Sequence, residues 1–136
     1  MKIELDMEPL VNASERLVEG WERYQRDIQD IQIRDGLIQR FEFTYETSHK
    51  MIKRYLELSS PSPSEVDRIA FGDLIRSANE VGLLLGNWSD WKNYREMRGK
   101  TSHTYDEGVA LEVVRDIPKF MKEVQFLITQ LNQRLK

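Results

Sequence analysis

The C-terminal part of the sequence carries a regular pattern of apolar residues at helical spacing. Between positions 110 and 131 they are separated by alternating steps of three and four: Ala110, Val113, Ile117, Phe120, Val124, Leu127 and Leu131. These steps place all seven residues on one face of an α-helix. A helix of this length can pack along a whole helical bundle, with Pro118 inside it as a predicted kink. The pattern therefore predicts an all-α fold.

Helical spacing also recurs in the first half of the chain, where no segment alternates as a half-buried strand would. A first helix is predicted from about Pro9 to Asp30, with Ile28 on its apolar stripe. The pattern then breaks at residues 34–36, which read Arg-Asp-Gly, and restarts at Leu37. The second helix is predicted to end near Ser59.

Capping motifs delimit the remaining helices. Ser62 and Glu65 form a capping-box pattern around Pro63, which predicts a third helix with these apolar residues facing inward: Val66, Ile69, Ala70, Leu74, Ala78 and Val81. Asn87 is predicted to cap a short helix, and Thr104-x-x-Glu107 is a second capping-box pattern before the last helix. The short connections predict an up-down four-helix bundle with an extra short helix, in a single domain covering residues 1–136.

Composition and charge narrow the functional classes. The formal net charge of −3 provides no overall field to attract nucleic acid or an anionic membrane, so any RNA contact has to be local. The absence of cysteine excludes disulfides and zinc–thiolate sites, and the longest apolar stretch is too short to span a bilayer. The first residues show no signal-peptide pattern, so a soluble cytoplasmic protein without a metal, cofactor or membrane contact is expected.

The segment RGKTSHTYDE, from Arg98 to Glu107, places an arginine, a histidine and a tyrosine at the junction between the short helix and the last one. The residues before and within it form a local cationic patch with interleaved aromatic residues: Trp91, Lys92, Tyr94, Arg95, Arg98 and Lys100. Cations that contact phosphates and aromatic faces that contact bases are typical of single-stranded RNA sites. The alternative is a structural role, in which the arginine covers the C-terminus of one helix and the histidine forms hydrogen bonds near the start of the next.

These residue types suit RNA cleavage without a metal. Histidine can transfer protons near neutral pH, and arginine can hold a phosphate through two parallel hydrogen bonds. One histidine is too few for a paired acid–base mechanism, so a symmetric homodimer that contributes a second His103 and a second Arg98 is predicted. Glu42 and Glu46, one helical turn apart, either support a ligand or partner helix or simply face solvent. His49 is interpreted as a surface or boundary residue.

Arg98-x4-His103-x-Tyr105 resembles the Arg-x4–6-His motif of HEPN domains, in the extended form of HepT-like proteins, which are also called nucleotidyltransferase substrate-binding proteins. The resemblance extends over essentially the whole chain. Residues 38–57 are similar to the family's second helix, residues 62–75 to the entry of its third helix, and residues 87–107 to its short helix and motif turn. It implies a left-handed four-helix bundle that dimerises with the two motifs facing each other. It also implies an MNT-type nucleotidyltransferase as a partner.

The same resemblance implies roles for individual residues. Arg98 would hold phosphate and His103 would move protons in a metal-independent ribonuclease toxin, and Tyr105 would accept AMP from the antitoxin partner. Gly99 departs from the Asn or Asp that usually follows the arginine in active HEPN ribonucleases, and His49 replaces an apolar or aromatic residue. Three interpretations therefore stay open. The protein is a ribonuclease, or it is a non-catalytic substrate-binding or regulatory subunit of a two-chain nucleotidyltransferase, or the motif is purely structural. In the first two, the protein binds RNA or a nucleotide.

Overall fold

The computed structural model describes residues 4–135, which form helices and no strand. Six α-helices follow in chain order: α1 (Glu8–Arg26), α2 (Ile31–Ser59), α3 (Pro63–Arg68), α4 (Phe71–Glu80), α5 (Trp88–Lys100) and α6 (Glu107–Arg134). A single 3₁₀ turn, Thr101–His103, joins α5 to α6. The predicted all-α class is confirmed. No helix among the described residues combines the length and apolar character needed to cross a membrane.

The bundle is built around α2 and α6, the two longest helices. α1 packs against both of them, and α5 also contacts both. All seven residues of the apolar seam from Ala110 to Leu131 are completely buried, as predicted. α6 runs through Pro118 without ending there. The buried seam of α6 therefore forms part of the core against which α1, α2 and α5 pack.

The predicted boundary between the first two helices is wrong. α1 ends at Arg26, and α2 begins at Ile31, so residues 34–36 lie inside α2 instead of at a break. The side chain of Asp30 caps α2 by accepting a hydrogen bond from the backbone N–H of Ile33, at 3.1 Å. Ile28 is 57% exposed in the connection and does not belong to the buried stripe. A good cap at Asp30 thus outweighs the cost of a glycine inside the helix.

The predicted third helix is divided in two. Ile69 and Ala70 adopt extended backbone conformations, which separate α3 from α4, and the Ser62 side chain makes no capping bond. Of the six residues predicted to face inward, Leu74 and Ala78 are buried, Val66 is half-buried and the other three are exposed. The interruption changes the register of the helix, so the face predicted from continuous periodicity does not persist across residue 70.

The caps predicted for the short helix and for the last helix had different outcomes. Asn87 caps α5, as predicted, and the structure adds a reciprocal hydrogen bond, from the backbone N–H of Asn87 to the carboxylate of Asp90, that completes a capping box. At the start of α6 the cap is Asp106, whose carboxylate accepts a hydrogen bond from Val109 N at 3.2 Å, and the predicted Thr104 cap is wrong. Thr104 instead donates its hydroxyl to the carbonyl oxygen of Thr101. An aspartate directly before the helix reaches its free N–H groups better than a threonine two residues earlier.

A buried carboxylate fixes the loop that leads into α5. Glu123 on α6 is almost completely buried and accepts hydrogen bonds from the backbone N–H groups of Leu85 and Gly86, at 2.8 and 2.7 Å. Burial raises the pKa of Glu123, and these two hydrogen bonds act in the opposite direction. A Cβ at Gly86 would lie 2.7 Å from carboxylate oxygens of Asp90 and Glu123, so a larger residue there would displace these carboxylates. This contact anchors the start of the helix that carries Arg98.

Candidate functional site

Arg98, on the last turn of α5, is held by two carboxylates of α2. Its Nη2 and Nε both donate to Oε1 of Glu46, at 2.6 and 3.1 Å, and Nη2 lies 3.5 Å from Oε1 of Glu42. The hydrogen bond to Glu46 is the main reason that the pKa of Arg98 is raised, so the guanidinium stays charged. The side chain of Arg98 remains about one-third exposed. Its orientation is thus fixed while it stays accessible to a ligand.

The two glutamates leave part of the guanidinium available. Among residues 4–135, Nη1 of Arg98 has no hydrogen-bond partner. Because Glu42 and Glu46 lie one turn apart on α2, they approach the arginine from one direction. An anion could therefore bind through Nη1 and replace or share the contact of Nη2.

An open cleft of about 370 Å³ lies beside Arg98. Its lining combines cations, aromatic rings and one carboxylate: Tyr45, Glu46, His49, Phe71, Arg95, Arg98 and Gly99. Burial raises the pKa of Tyr45 to about 12, so its phenol remains protonated at neutral pH. The cleft contains two guanidinium groups, those of Arg95 and Arg98, together with aromatic rings, which suits a ligand containing both a phosphate and an aromatic group.

His103 and Tyr105 lie at the surface of the motif turn. The turn is tied back to α5 by the Thr101 hydroxyl, which donates to the carbonyl oxygen of Arg98 at 2.7 Å. His103 is exposed, Tyr105 is 87% exposed, and the centroids of their rings are 6.1 Å apart. A single subunit therefore presents both side chains outward, where a ligand or a second subunit can reach them.

The four residues predicted to contact RNA beside the motif occupy different environments. Lys92 is exposed, Arg95 lies over the Phe71 ring at 5.0 Å, and Lys100 pairs with Glu112 at 2.9 Å. The prediction that Trp91 contacts RNA is wrong, because its ring is completely buried in the bundle core and offers no face to a base. Its neighbour Tyr94 is buried as well.

His49, interpreted from the sequence as a surface or boundary residue, also lines the cleft. It is half-buried on α2, with its ring centroid 4.8 Å from that of Phe71 and 6.4 Å from that of Tyr45. Its position three residues after Glu46 and four after Tyr45 was the available signal, because such residues share one helix face. Within residues 4–135, no three carboxylate or imidazole side chains are grouped to hold a metal ion.

The family model for proteins described as "Nucleotidyltransferase substrate binding protein like" matches residues 5–133 of this chain. The chain belongs to this family. The resemblance to HepT-like and nucleotidyltransferase substrate-binding proteins, inferred from the motif and the helices around it, is thereby confirmed.

Two kinds of relative support the same assignment. The chain is 40% identical over 125 residues to the "Probable ribonuclease HepT" of Haemophilus influenzae, a match covering 92% of this chain and 83% of that relative. A solved Haemophilus influenzae structure, described as revealing the fold of a substrate binding domain of a nucleotidyltransferase, matches with a TM-score of 0.87 at 35% identity, covering 93% of this chain and 99% of that one. A Thermus thermophilus structure matches with a TM-score of 0.73 at 27% identity, covering 90% and 98%.

Proposed function

We propose that this member of the family is a HepT-like ribonuclease that cuts RNA without a metal, using Arg98 and His103. The observation that carries the proposal is the placement of Arg98, held charged by Glu42 and Glu46 beside an open cleft, five residues before an exposed His103. The similarity to a relative named as a probable ribonuclease supports it. Arg98 then binds the phosphate and stabilises its developing charge, while His103 transfers protons.

Cleavage through the 2′-hydroxyl requires one group to remove its proton and another to protonate the leaving 5′-oxygen. Each subunit contributes one histidine from the motif, so we propose that two subunits place their motifs across a shared cleft. A two-fold arrangement then contributes two imidazoles and two guanidinium groups to the same phosphate. The exposure of His103 and Tyr105 in the isolated subunit is compatible with this arrangement.

The protein is therefore expected to be a homodimer in solution at micromolar concentration. The interface should involve α2, α5 and the motif turn, and should bury more than ~1,000 Å² in total, as stable interfaces do. Light scattering coupled to size exclusion gives the mass directly. A mass of one chain, about 16.1 kDa, at these concentrations would contradict the shared site.

The nucleotidyltransferase named in the family description is the proposed partner. We propose an MNT-type nucleotidyltransferase that acts as the antitoxin of a two-gene module, with this chain as the toxin in the cytoplasm. The family description and the solved relative's description both connect this fold with a nucleotidyltransferase. Tyr105, the most exposed large side chain among the described apolar residues, is the proposed acceptor of the partner's AMP.

A second candidate function is a substrate-binding or regulatory subunit that does not itself cut RNA. Gly99 favours it, because this residue follows Arg98 at a position where a polar group could orient the histidine or the substrate. The contact with Glu46 also favours it, because that carboxylate occupies two of the hydrogen-bond donors of Arg98. The two functions are separated by one experiment. The ribonuclease cleaves labelled RNA alone and is suppressed by its partner, whereas the binding subunit leaves RNA intact and is needed for transfer by the partner.

Substituting Gly99 by asparagine is expected to raise the cleavage rate. A Cβ at position 99 would meet no atom within 4 Å, so the new amide can enter without disturbing α5. It lines the cleft beside Arg98 and would add a polar group there. Initial rates of RNA cleavage for the wild type, Gly99→Asn and Gly99→Ala measure the effect, with alanine as the control for helix stabilisation. Equal rates for asparagine and alanine would show that the missing polar group does not limit activity.

A further inference from the structure

The cleft beside Arg98 contains a cluster that the proposed cleavage chemistry does not use. The rings of His49 and Phe71 meet edge to face, with centroids 4.8 Å apart and planes at 75°. The guanidinium carbon of Arg95 lies 5.0 Å from the centroid of Phe71. All three side chains line the same cleft as Arg98. They come from three different helices, α2, α4 and α5, so the tertiary fold assembles the cluster.

We propose that His49, Phe71 and Arg95 bind the base of the nucleotide whose phosphate Arg98 holds. The inference rests on the proposed function in using Arg98 as the phosphate-binding residue. The cleft volume of about 370 Å³ falls at the lower end of the roughly 300–1,000 Å³ typical of small-molecule sites, as expected for a single nucleotide unit. Base recognition is a separate property from cleavage, because it requires binding groups and no proton transfer.

The Phe71–Arg95 pair forms the stacking surface. Phe71 is half-buried, and its ring is fixed by edge contacts with His49 and with Trp88, whose centroid lies 5.7 Å away. Arg95 is exposed and forms no ion pair with another residue of the 4–135 range. Its guanidinium can either carry a base on its outer side or swing to a phosphate and uncover Phe71. Bases stack on both arginine planes and aromatic rings in single-stranded RNA sites.

His49 provides the hydrogen-bonding edge of the site. Burial is the main cause of its lowered pKa, and the charges of Lys53 and Arg95 act in the same direction, so the imidazole is neutral at pH 7. A neutral imidazole has one N–H donor and one nitrogen acceptor, the two types of group that line the edges of the bases. A donor and an acceptor at a fixed position discriminate between bases, whereas stacking alone does not.

The test compares ligands that share a phosphorylated ribose and differ in the base. Ribose 5-phosphate and the four nucleoside monophosphates are titrated into ¹⁵N-labelled full-length protein, and dissociation constants are taken from the NMR shifts of cleft residues. At least one nucleotide should bind about tenfold more tightly than ribose 5-phosphate, within the range observed for one base stacked on an aromatic side chain. Equal affinity for all five ligands overturns the inference, and so does the absence of an NMR shift at every cleft residue with all five.

Variants separate the contributions within the cleft. Phe71→Leu keeps an apolar side chain and should remove the preference for nucleotides over ribose 5-phosphate. His49→Phe keeps a ring and should make the four nucleotides bind alike. Arg98→Ala should weaken all five ligands, whereas Lys122→Ala removes an exposed cation of α6 outside the cleft and should change none. A base preference that survives both Phe71→Leu and His49→Phe in proteins with wild-type melting temperatures contradicts the inference.

The outcome also distinguishes this inference from the proposed ribonuclease activity. Base-dependent binding without RNA cleavage supports the base site and rejects the ribonuclease. RNA cleavage without base-dependent binding supports the ribonuclease and rejects the base site.

Discussion

Replacing His103 by alanine is expected to reduce the rate of RNA cleavage by ~10²–10⁴-fold, the usual effect of removing a positioned proton-transfer group. The fold should be unaffected, because the side chain is exposed and its ring contacts only that of Tyr105 among the described aromatic residues. Ser102→Ala, in the same 3₁₀ turn, is the matched control and should keep wild-type activity. Single-turnover rates on a labelled RNA measure the difference. Similar rates for wild type and His103→Ala would remove histidine from the mechanism.

Arg98→Ala should cause a loss of similar size, about 10²–10³-fold, because a guanidinium that stabilises the charge on the reacting phosphate is lost. Arg98→Lys separates charge from geometry, since lysine keeps the charge but cannot donate two parallel hydrogen bonds. We expect the lysine variant to recover only a small part of the rate. The rate of the wild type should also fall with rising salt, because phosphate contacts are screened.

Modification of Tyr105 by the partner should abolish RNA cleavage. The Tyr105 oxygen would attack the α-phosphorus of ATP, its proton would pass to a base of the partner, and pyrophosphate would leave. A tyrosine hydroxyl is a weak nucleophile without such a base. Tyr105 is 87% exposed and the centroid of its ring is 6.1 Å from that of His103, so an attached AMP would lie next to the histidine proposed to transfer protons. The adduct would then obstruct access of RNA to His103 and compete for Arg98.

The measurement is intact mass after incubation with the proposed nucleotidyltransferase partner, ATP and Mg²⁺. The wild type should gain one or more AMP units and lose cleavage activity, whereas Tyr105→Phe should gain none and stay active in the presence of the partner. An adduct on Tyr105→Phe would place the modification elsewhere. The absence of any adduct with a partner shown to be active would favour the substrate-binding subunit.

Much of the bundle was predictable because its signals are local. The apolar seam of α6 and the capping box at Asn87 each depend on residues within a few turns of one helix. The boundary at Asp30 was missed because residues 34–36 were interpreted as a break, although the side chain of Asp30 caps α2 before them. The division of the third helix at Ile69 and Ala70 was missed because their apolar side chains extend a helical pattern whose backbone is in fact extended.

The sequence indicated some residues of the candidate cleft, Glu46, Arg95 and Arg98. It did not indicate that Tyr45, His49 and Phe71 line the same cleft. The motif indicated Arg98 as a candidate. Its partner Glu46 lies 52 residues earlier on another helix, and the spacing of residues along the sequence does not predict contacts between helices. Trp91 was assigned to RNA because it lies among cations. Its spacing of three from Tyr94, followed by three more to Met97, was the better indicator, since all three residues are buried on one face of α5. Whether an aromatic residue of a helix is exposed depends on whether it lies on the apolar face of that helix, not on the charges beside it in the sequence.

The most direct test of the ribonuclease is cleavage of one defined RNA by the purified chain, without its partner, in the presence of EDTA. A matched RNA with 2′-deoxyribose at the mapped cleavage position is the control substrate, and His103→Ala is the control protein. The account predicts that the wild type cuts the RNA in EDTA, leaves the 2′-deoxy position intact and loses activity in His103→Ala. Cleavage that requires added Mg²⁺, cleavage at the 2′-deoxy position, or no cleavage by a folded wild-type protein would contradict it.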